Sequence, residues 1–98
     1  MLTRRSATRP PDRPVVVRLL HMPGCPLADR VRATLRECLA DAGVPVRVEE
    51  VEGLFPSPTL LVGGADVVTG DAPAGDPCCR LDLPTRAQIL AAIQRALP

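Results

Sequence analysis

Aromatic residues, lysine and long hydrophobic runs are scarce or absent in this 98-residue chain. Phe55 is the only aromatic residue, so the chain cannot offer the row of rings on which single-stranded nucleic acid stacks. No apolar run approaches the ~20 residues needed to span a bilayer. A net charge of +1 creates no overall field that would attract a polyanion. The sequence therefore predicts neither a nucleic-acid partner nor a membrane partner.

Length and composition predict one small domain with a tail. The 46% hydrophobic and 23% charged residues are typical of a globular chain, and 98 residues suffice for a single core. Residues 1–13 are different, because they carry four arginines and two prolines but no hydrophobic segment of a secretory signal. We predict a disordered Arg/Pro-rich tail over 1–13, a domain over 14–98 and a cytoplasmic location.

Hydrophobic periodicity predicts an α/β chain in the order β-α-β-β-β-α. The predicted elements are a buried strand at 15–20, a helix from Pro26 to a Gly43 cap, strands at 46–51, 59–62 and 79–83, and a helix opened by a Thr85/Gln88 capping box. The strand–helix–strand unit makes the first two strands parallel, and the last two strands can pair antiparallel. We therefore expect a four-stranded mixed sheet covered by two helices.

The fourth strand is predicted from alternation. Cys79, Leu81 and Leu83 alternate with Arg80 and Asp82, so Cys79 is expected to point into the core and Arg80 and Asp82 to form a solvated pair. Residues 65–77, rich in Gly, Pro and Asp, are interpreted as a long loop. Its acidic residues are assigned to turns and solubility: Asp66, Asp71 and Asp76.

The chemistry of the sequence centres on Gly24-Cys25-Pro26, at the junction of the first strand and the first helix. A cysteine at a helix N-terminus lies near free backbone N–H groups and the positive end of the helix dipole, which favour a thiolate. Pro26 suits the next position because its missing N–H would have no helical partner. A thiolate is both the nucleophile of disulfide exchange and a ligand for soft metals.

The sequence gives weaker evidence of a chemical role for the other three cysteines. Cys38 falls on the inner stripe of the first helix and is expected to be a small core residue. Cys78 and Cys79 are the candidates for a second thiol, and Cys78, expected to be the more exposed, is the better candidate for a redox or metal contact. With the single His21 and no Cys-x-x-Cys pair, the spacings form no recognised zinc site. His21 could act as a base or cation near Cys25, but the expectation is that it satisfies a backbone partner at the strand end.

Ser57-Pro58-Thr59, directly before the third strand, is the second motif that points to a function. The order of elements with Gly-Cys-Pro and Ser-Pro-Thr resembles the thioredoxin/glutaredoxin superfamily over roughly residues 15–97. More narrowly, Met22-Pro23-Gly24-Cys25-Pro26, Ser57-Pro58-Thr59 and Cys79-Arg80-Leu81 are similar to small bacterial thioredoxin-like proteins often labelled alkylmercury lyase.

The resemblance implies a cis Pro58 beside a reactive Cys25, with Gly24, Pro26 and Ser57 lining the substrate site. The backbone of Ser57 would pair with an extended thiol substrate.

Two features depart from the family. Ala28 stands where dithiol members have a second cysteine, and residues 53–56 replace the helix between the second and third strands. In the family topology, Cys79 would lie about 15 Å from Cys25, beyond the ~7 Å Cα limit for a disulfide.

Three functions follow as hypotheses. The first is thiol–disulfide exchange, or mixed-disulfide formation, by Cys25 with a protein or low-molecular-weight thiol. The second is capture of a soft cation (Hg, Cu or Zn) by Cys25 with Cys78 or Cys79. The third is a non-catalytic thioredoxin-like scaffold. No cofactor is predicted, and no motif assembles the paired cysteines and carboxylate that carbon–mercury cleavage requires.

Overall fold

A computed structural model describes residues 14–73 and 75–97. Its elements are β1 Val15–His21, α1 Pro26–Ala42, β2 Val46–Glu52, β3 Pro56–Ser57, β4 Thr59–Val62, β5 Ala65–Asp66, β6 Cys78–Cys79 and α2 Arg86–Ala96. The predicted tail over 1–13 lies outside the described residues. None of the described helices is both long and apolar enough to cross a bilayer.

The main sheet has the order β2-β1-β4-β5. β1 pairs parallel with β2, where Val15 lies opposite Val46, and antiparallel with β4, where Val17 lies opposite Val62. β4 then pairs antiparallel with β5. The described chain is therefore a mixed α/β fold with two helices and a four-stranded mixed sheet, as the sequence predicts.

The core lies between one face of this sheet and both helices. β-branched and leucine residues favour β1 as the buried central strand, and Val17 and Leu19 are fully buried there. Side chains alternate along a strand, so every second residue faces the helices. The core side chains from the sheet and helices are Val15, Val17, Leu19, Val31, Leu35, Cys38, Leu60, Val62, Val67, Ile89, Ala92 and Ile93.

The ends of both helices follow from local sequence. α1 begins with Pro26 and ends at Gly43, whose φ of 67° is the left-handed conformation that glycine adopts at low cost. α2 begins with the predicted capping box, in which Gln88 N–H donates to the Thr85 hydroxyl at 3.1 Å. Arg86 then joins the helices through Glu37 at 2.5 Å and Asp41 at 2.6 Å.

The prediction for the fourth strand is wrong. The fourth strand of the main sheet is β5, within the segment interpreted as a loop, because Gly63 and Gly64 (φ 61° and 87°) turn the chain straight back along β4. Residues 80–97 form no strand, and Leu81 is 86% exposed. Alternation at 79–83 therefore does not indicate a strand, although Leu83 is partly buried against the core.

The short link between β2 and β3 runs through Gly53–Phe55. As predicted, it contains no helix. Both described helices pack on the same face of the sheet, and the opposite face carries the Arg18–Glu49 ion pair at 2.9 Å. Because these connections are short, the ends of β1 and β3 lie side by side. The candidate site lies at these two ends.

Candidate thiol site

Cys25 is the N-cap residue of α1, at the end of the turn that follows β1. Its backbone N–H donates to the Met22 carbonyl at 3.2 Å, which closes the turn. The side chain is half-buried and the thiol is free. Gly24 and Pro26 flank it, and both are exposed. The strand–helix junction thus presents the sulfur at the helix N-terminus, as the sequence predicts.

Ser57 and Pro58 form the second side of the site. Their peptide bond is cis, and both residues are fully buried. The Ser57 hydroxyl accepts a hydrogen bond from the Met22 N–H at 3.0 Å. β3 is therefore fastened to the turn that carries Cys25, although the two segments are more than thirty residues apart in sequence.

The surroundings of Cys25 favour its thiolate. Partial burial is the largest single influence and raises the pKa of the thiol, and the Asp29 carboxylate raises it further. The Ser57 hydroxyl and the N–H groups of Ala28 and Leu27 lie close enough to the sulfur to outweigh both, so the net pKa is lowered.

A shallow cavity of about 350 Å³ opens beside Cys25 and is lined in part by His21 and Arg32. The guanidinium of Arg32 is engaged by Asp29 and by both carboxylate oxygens of Glu50 at 2.7 Å. His21 Nδ1 lies 3.2 Å from the Met22 carbonyl, and Nε2 lies 3.5 Å from Glu50. His21 therefore has a backbone partner at the strand end, as predicted, and its ring also contacts a carboxylate.

Cys78 and Cys79 form β6, which pairs parallel with β3 so that Pro56 faces Cys78 and Ser57 faces Cys79. Both cysteines are exposed. The expectation that Cys79 points into the core is therefore wrong. So is its expected placement a strand length from Cys25, because the chain after β5 returns to β3 instead of running along the far edge of the sheet.

The position of Arg80 differs most clearly from the one that the sequence predicts. Its side chain is only 12% exposed, and its guanidinium donates to Asp66 at 2.6 Å and to the Thr59 hydroxyl at 3.0 Å. The predicted contact with Asp82 is present at 2.7 Å. The assignment of Asp66 to solubility is wrong, because its side chain is 7% exposed. Its predicted role in a turn is confirmed, because its carboxylate accepts hydrogen bonds from the N–H groups of Val68 and Thr69.

The backbone of Arg80 closes the edge of β3. Its N–H donates to the Ser57 carbonyl at 2.7 Å. That carbonyl is the group which the family resemblance assigned to an extended thiol substrate. In this structure a segment of the chain itself occupies the position, with Cys79 directly opposite Ser57.

Cys38 lies apart from this site. It is fully buried on the inner stripe of α1, and its sulfur lies 3.7 Å from the Arg86 carbonyl. Burial raises the pKa of its thiol. Cys38 is therefore a core residue with little thiolate character, as predicted.

Over residues 14–73 and 75–97, no group of three or more His, Cys, Asp or Glu side chains is arranged to hold a metal ion. The Ser57 hydroxyl lies near the Cys25 thiol, and Cys79 lies opposite Ser57 in the strand register. Comparison of the chain with protein-family models, curated proteins and solved structures finds no match.

Proposed function

We propose that this chain is a thioredoxin-like protein in which Cys25 is the nucleophile of thiol–disulfide exchange. The observation that carries the proposal is the position of Cys25 at the N-terminus of α1, where Ser57 and the first free N–H groups lower its pKa. The order of elements and the cis bond before Pro58 support the fold assignment.

The exchange step is a displacement at sulfur. The Cys25 thiolate attacks one sulfur of a disulfide RS–SR′, a bond forms between Cys25 and that sulfur, and R′S⁻ leaves and takes a proton from solvent. The product is a mixed disulfide between Cys25 and RS. A lowered thiol pKa increases the fraction of thiolate available at neutral pH, and the cavity beside Cys25 leaves room for the substrate.

The residues around Cys25 have distinct roles in this proposal. Ser57 stabilises the thiolate and fixes the turn through Met22. Gly24 and Pro26 flank Cys25 and are exposed, and Pro58 is buried directly after β3. The substrate is a disulfide of a protein or of a low-molecular-weight thiol.

The proposal is tested by alkylation of each cysteine across pH, followed by peptide mass spectrometry. We expect the alkylation rate of Cys25 to reach half its maximum at a pH below ~8.5, the pKa of a free thiol. Cys38 should react slowly. Cys25→Ser should abolish disulfide exchange, and the matched variant Cys38→Ser should retain it. A Cys25 profile like that of an ordinary thiol would favour a scaffold without thiol chemistry.

One observation favours the second candidate function, a soft-cation site. Ser57 is bordered by Cys25 and Cys79, and two thiolates are enough to hold a linear Hg(II) or Cu(I) ion. Titration with Cu(I) under reducing conditions tests this function. Stoichiometric binding that is lost in both Cys25→Ser and Cys79→Ser would support it, and binding that survives in either variant would contradict it.

A further inference from the structure

We propose that Cys79 is the resolving thiol of Cys25, so that the mixed disulfide on Cys25 is released as an internal Cys25–Cys79 disulfide. This inference rests on the proposed function, because it requires Cys25 to form the mixed disulfide first. It assigns a partner that the spacing of the cysteines does not reveal, since Cys25 and Cys79 are separated by most of the domain.

The pairing of β3 with β6 carries the inference. Ser57 and Cys79 lie opposite one another on adjacent strands, which places their Cα atoms about 4.8 Å apart. Opposed residues on paired strands direct their side chains to the same face. The Ser57 hydroxyl lies against the turn of Met22 and near the Cys25 sulfur, so the Cys79 side chain is on the face of that turn.

Cys78 is on the other face, because successive residues of a strand alternate. It lines a separate cavity of about 400 Å³, together with Asp66, Asp76 and Arg80. The two adjacent cysteines are therefore not equivalent. Only Cys79 is directed to the side on which Cys25 lies, and Cys78 provides a matched control at the next position.

Arg80 holds the reduced segment in this register. Its N–H binds the Ser57 carbonyl at 2.7 Å, and its guanidinium binds Asp66 at 2.6 Å and Thr59 at 3.0 Å. Asp66 in turn accepts hydrogen bonds from the N–H groups of Val68 and Thr69 at 2.8 and 3.3 Å, which shape the loop that leads back to β6. Cys79 is therefore kept beside Ser57 by contacts on the residue that follows it.

The segment also has room to move. β6 is two residues long and exposed. A disulfide between Cys79 and Cys25 requires their Cα atoms to lie about 4.4–6.8 Å apart. Approach of Cys79 to Cys25 requires β6 to move along the edge of β3, at the expense of the hydrogen bond from the Arg80 N–H to the Ser57 carbonyl. β6 and β3 form a two-stranded sheet apart from the main sheet, so this movement does not require the strands of the main sheet to separate.

The two steps balance with a low-molecular-weight disulfide, RS–SR, as the oxidant. In the first step, Cys25 displaces one RS⁻ and forms Cys25–S–SR. In the second step, Cys79 loses its proton and attacks the Cys25 sulfur, the Cys25–SR bond breaks, and the second RS⁻ leaves and is protonated. Two cysteine thiols are oxidised to one disulfide, and RS–SR is reduced to two RSH.

The test is oxidation of the full chain by glutathione disulfide, followed by acid quenching, intact mass measurement and peptide mapping. The wild-type chain and Cys78→Ser should lose two hydrogens and yield a Cys25–Cys79 peptide. Cys79→Ser should instead accumulate glutathione on Cys25, at least about tenfold more than Cys78→Ser, because its tethered competitor is gone. Both substitutions are at exposed positions, and circular dichroism checks that each variant is folded.

Three results would overturn the proposal. Persistent glutathione on Cys25 in the wild-type chain would show that Cys79 does not resolve it, while leaving the reactivity of Cys25 intact. A Cys25–Cys78 peptide would assign the role to the other cysteine. Absence of any adduct or disulfide at Cys25 in all variants would remove the proposed function and this inference together.

Discussion

The Arg80 guanidinium lies 2.6 Å from the Asp66 carboxylate, and both side chains are almost entirely removed from water. The pair joins the β5 hairpin to the segment that follows β6. Breaking a buried pair by removing one partner leaves an uncompensated charge, which costs much more than loss of an exposed pair. The position of β6 beside β3 therefore depends on a buried ion pair at β5, an edge strand of the main sheet.

Arg80→Ala should lower the free energy of unfolding by about 3 kcal/mol, because it strands the Asp66 carboxylate and leaves the Thr59 hydroxyl without its donor. Urea unfolding followed by circular dichroism measures this change. Arg30→Ala, at an exposed position of α1, is the control and should change stability by less than about 0.5 kcal/mol. Equal losses in the two variants would contradict the structural role of the buried pair.

Ser57→Ala should shift the alkylation profile of Cys25 to higher pH. The substitution removes the hydroxyl that lowers the thiol pKa, and it also leaves the Met22 N–H without its acceptor. The second effect should lower stability by about 1–3 kcal/mol. Cys78 serves as an internal control in the same samples, since it faces away from Ser57. An unchanged Cys25 profile would exclude Ser57 from thiolate stabilisation.

Glu50 should contribute to acid sensitivity. The guanidinium of Arg32 binds both its carboxylate oxygens and is the main cause of its lowered pKa, against the opposing effect of burial. A carboxyl whose pKa is lower in the folded state stabilises the fold above its unfolded pKa of ~4.3, and this contribution is lost as pH falls through the folded pKa. Since Glu50 is 37% exposed, the contribution should not exceed about 1 kcal/mol.

The measurement for Glu50 is urea unfolding of the wild-type chain and Glu50→Gln at pH 7 and pH 3. The wild-type chain should be the more stable at pH 7, and the difference should shrink at pH 3, where its carboxyl is protonated. Glu49 and Asp82, whose pKa values arginines also lower, remain in both proteins and so cancel in the comparison. A difference independent of pH would show that the Arg32 contact is not the cause.

Thr85→Ala should destabilise the fold by about 1 kcal/mol, because the hydroxyl accepts from the Gln88 N–H at the start of α2. Thr85→Ser keeps the acceptor and should cost a few tenths of a kcal/mol at most. Thermal unfolding of the two variants in parallel separates the cap from other effects of the substitution. If Thr85→Ser lost as much stability as Thr85→Ala, the threonine methyl group and not the capping hydroxyl would be the cause of the loss.

Local signals account for the parts of the fold that the sequence predicts correctly. The apolar run of β1, the helical stripe of α1, the Gly43 cap and the Thr85/Gln88 box each depend on residues within one element. They identify Cys25 as the N-cap residue without any knowledge of distant contacts. The lowered pKa of Cys25 is partly local for the same reason, since two of the contributing N–H groups follow it directly in sequence.

The incorrect predictions concern contacts between distant residues. β5 contains two residues, too few for alternation to be recognised, although the adjacent Gly63-Gly64 pair is a hairpin signal. Leu81 and Leu83 alternate with polar residues, as they would in a strand, but they belong to no sheet. The Arg80–Asp66 pair has no periodicity to predict it, and the position of Cys79 follows from that pair and from the return of the chain to β3.

The two thiols of the site belong to segments that should differ in amide hydrogen exchange. β1 is hydrogen-bonded along both edges and supports the Cys25 turn, so its amides should exchange only when the whole domain unfolds. β6 is a two-residue strand at the surface, and the Arg80 N–H bonded to Ser57 should exchange through a smaller, local opening. Entry of a substrate to the edge of β3 would then require only displacement of the Cys79 segment, while the turn that carries Cys25 stays attached to the end of β1.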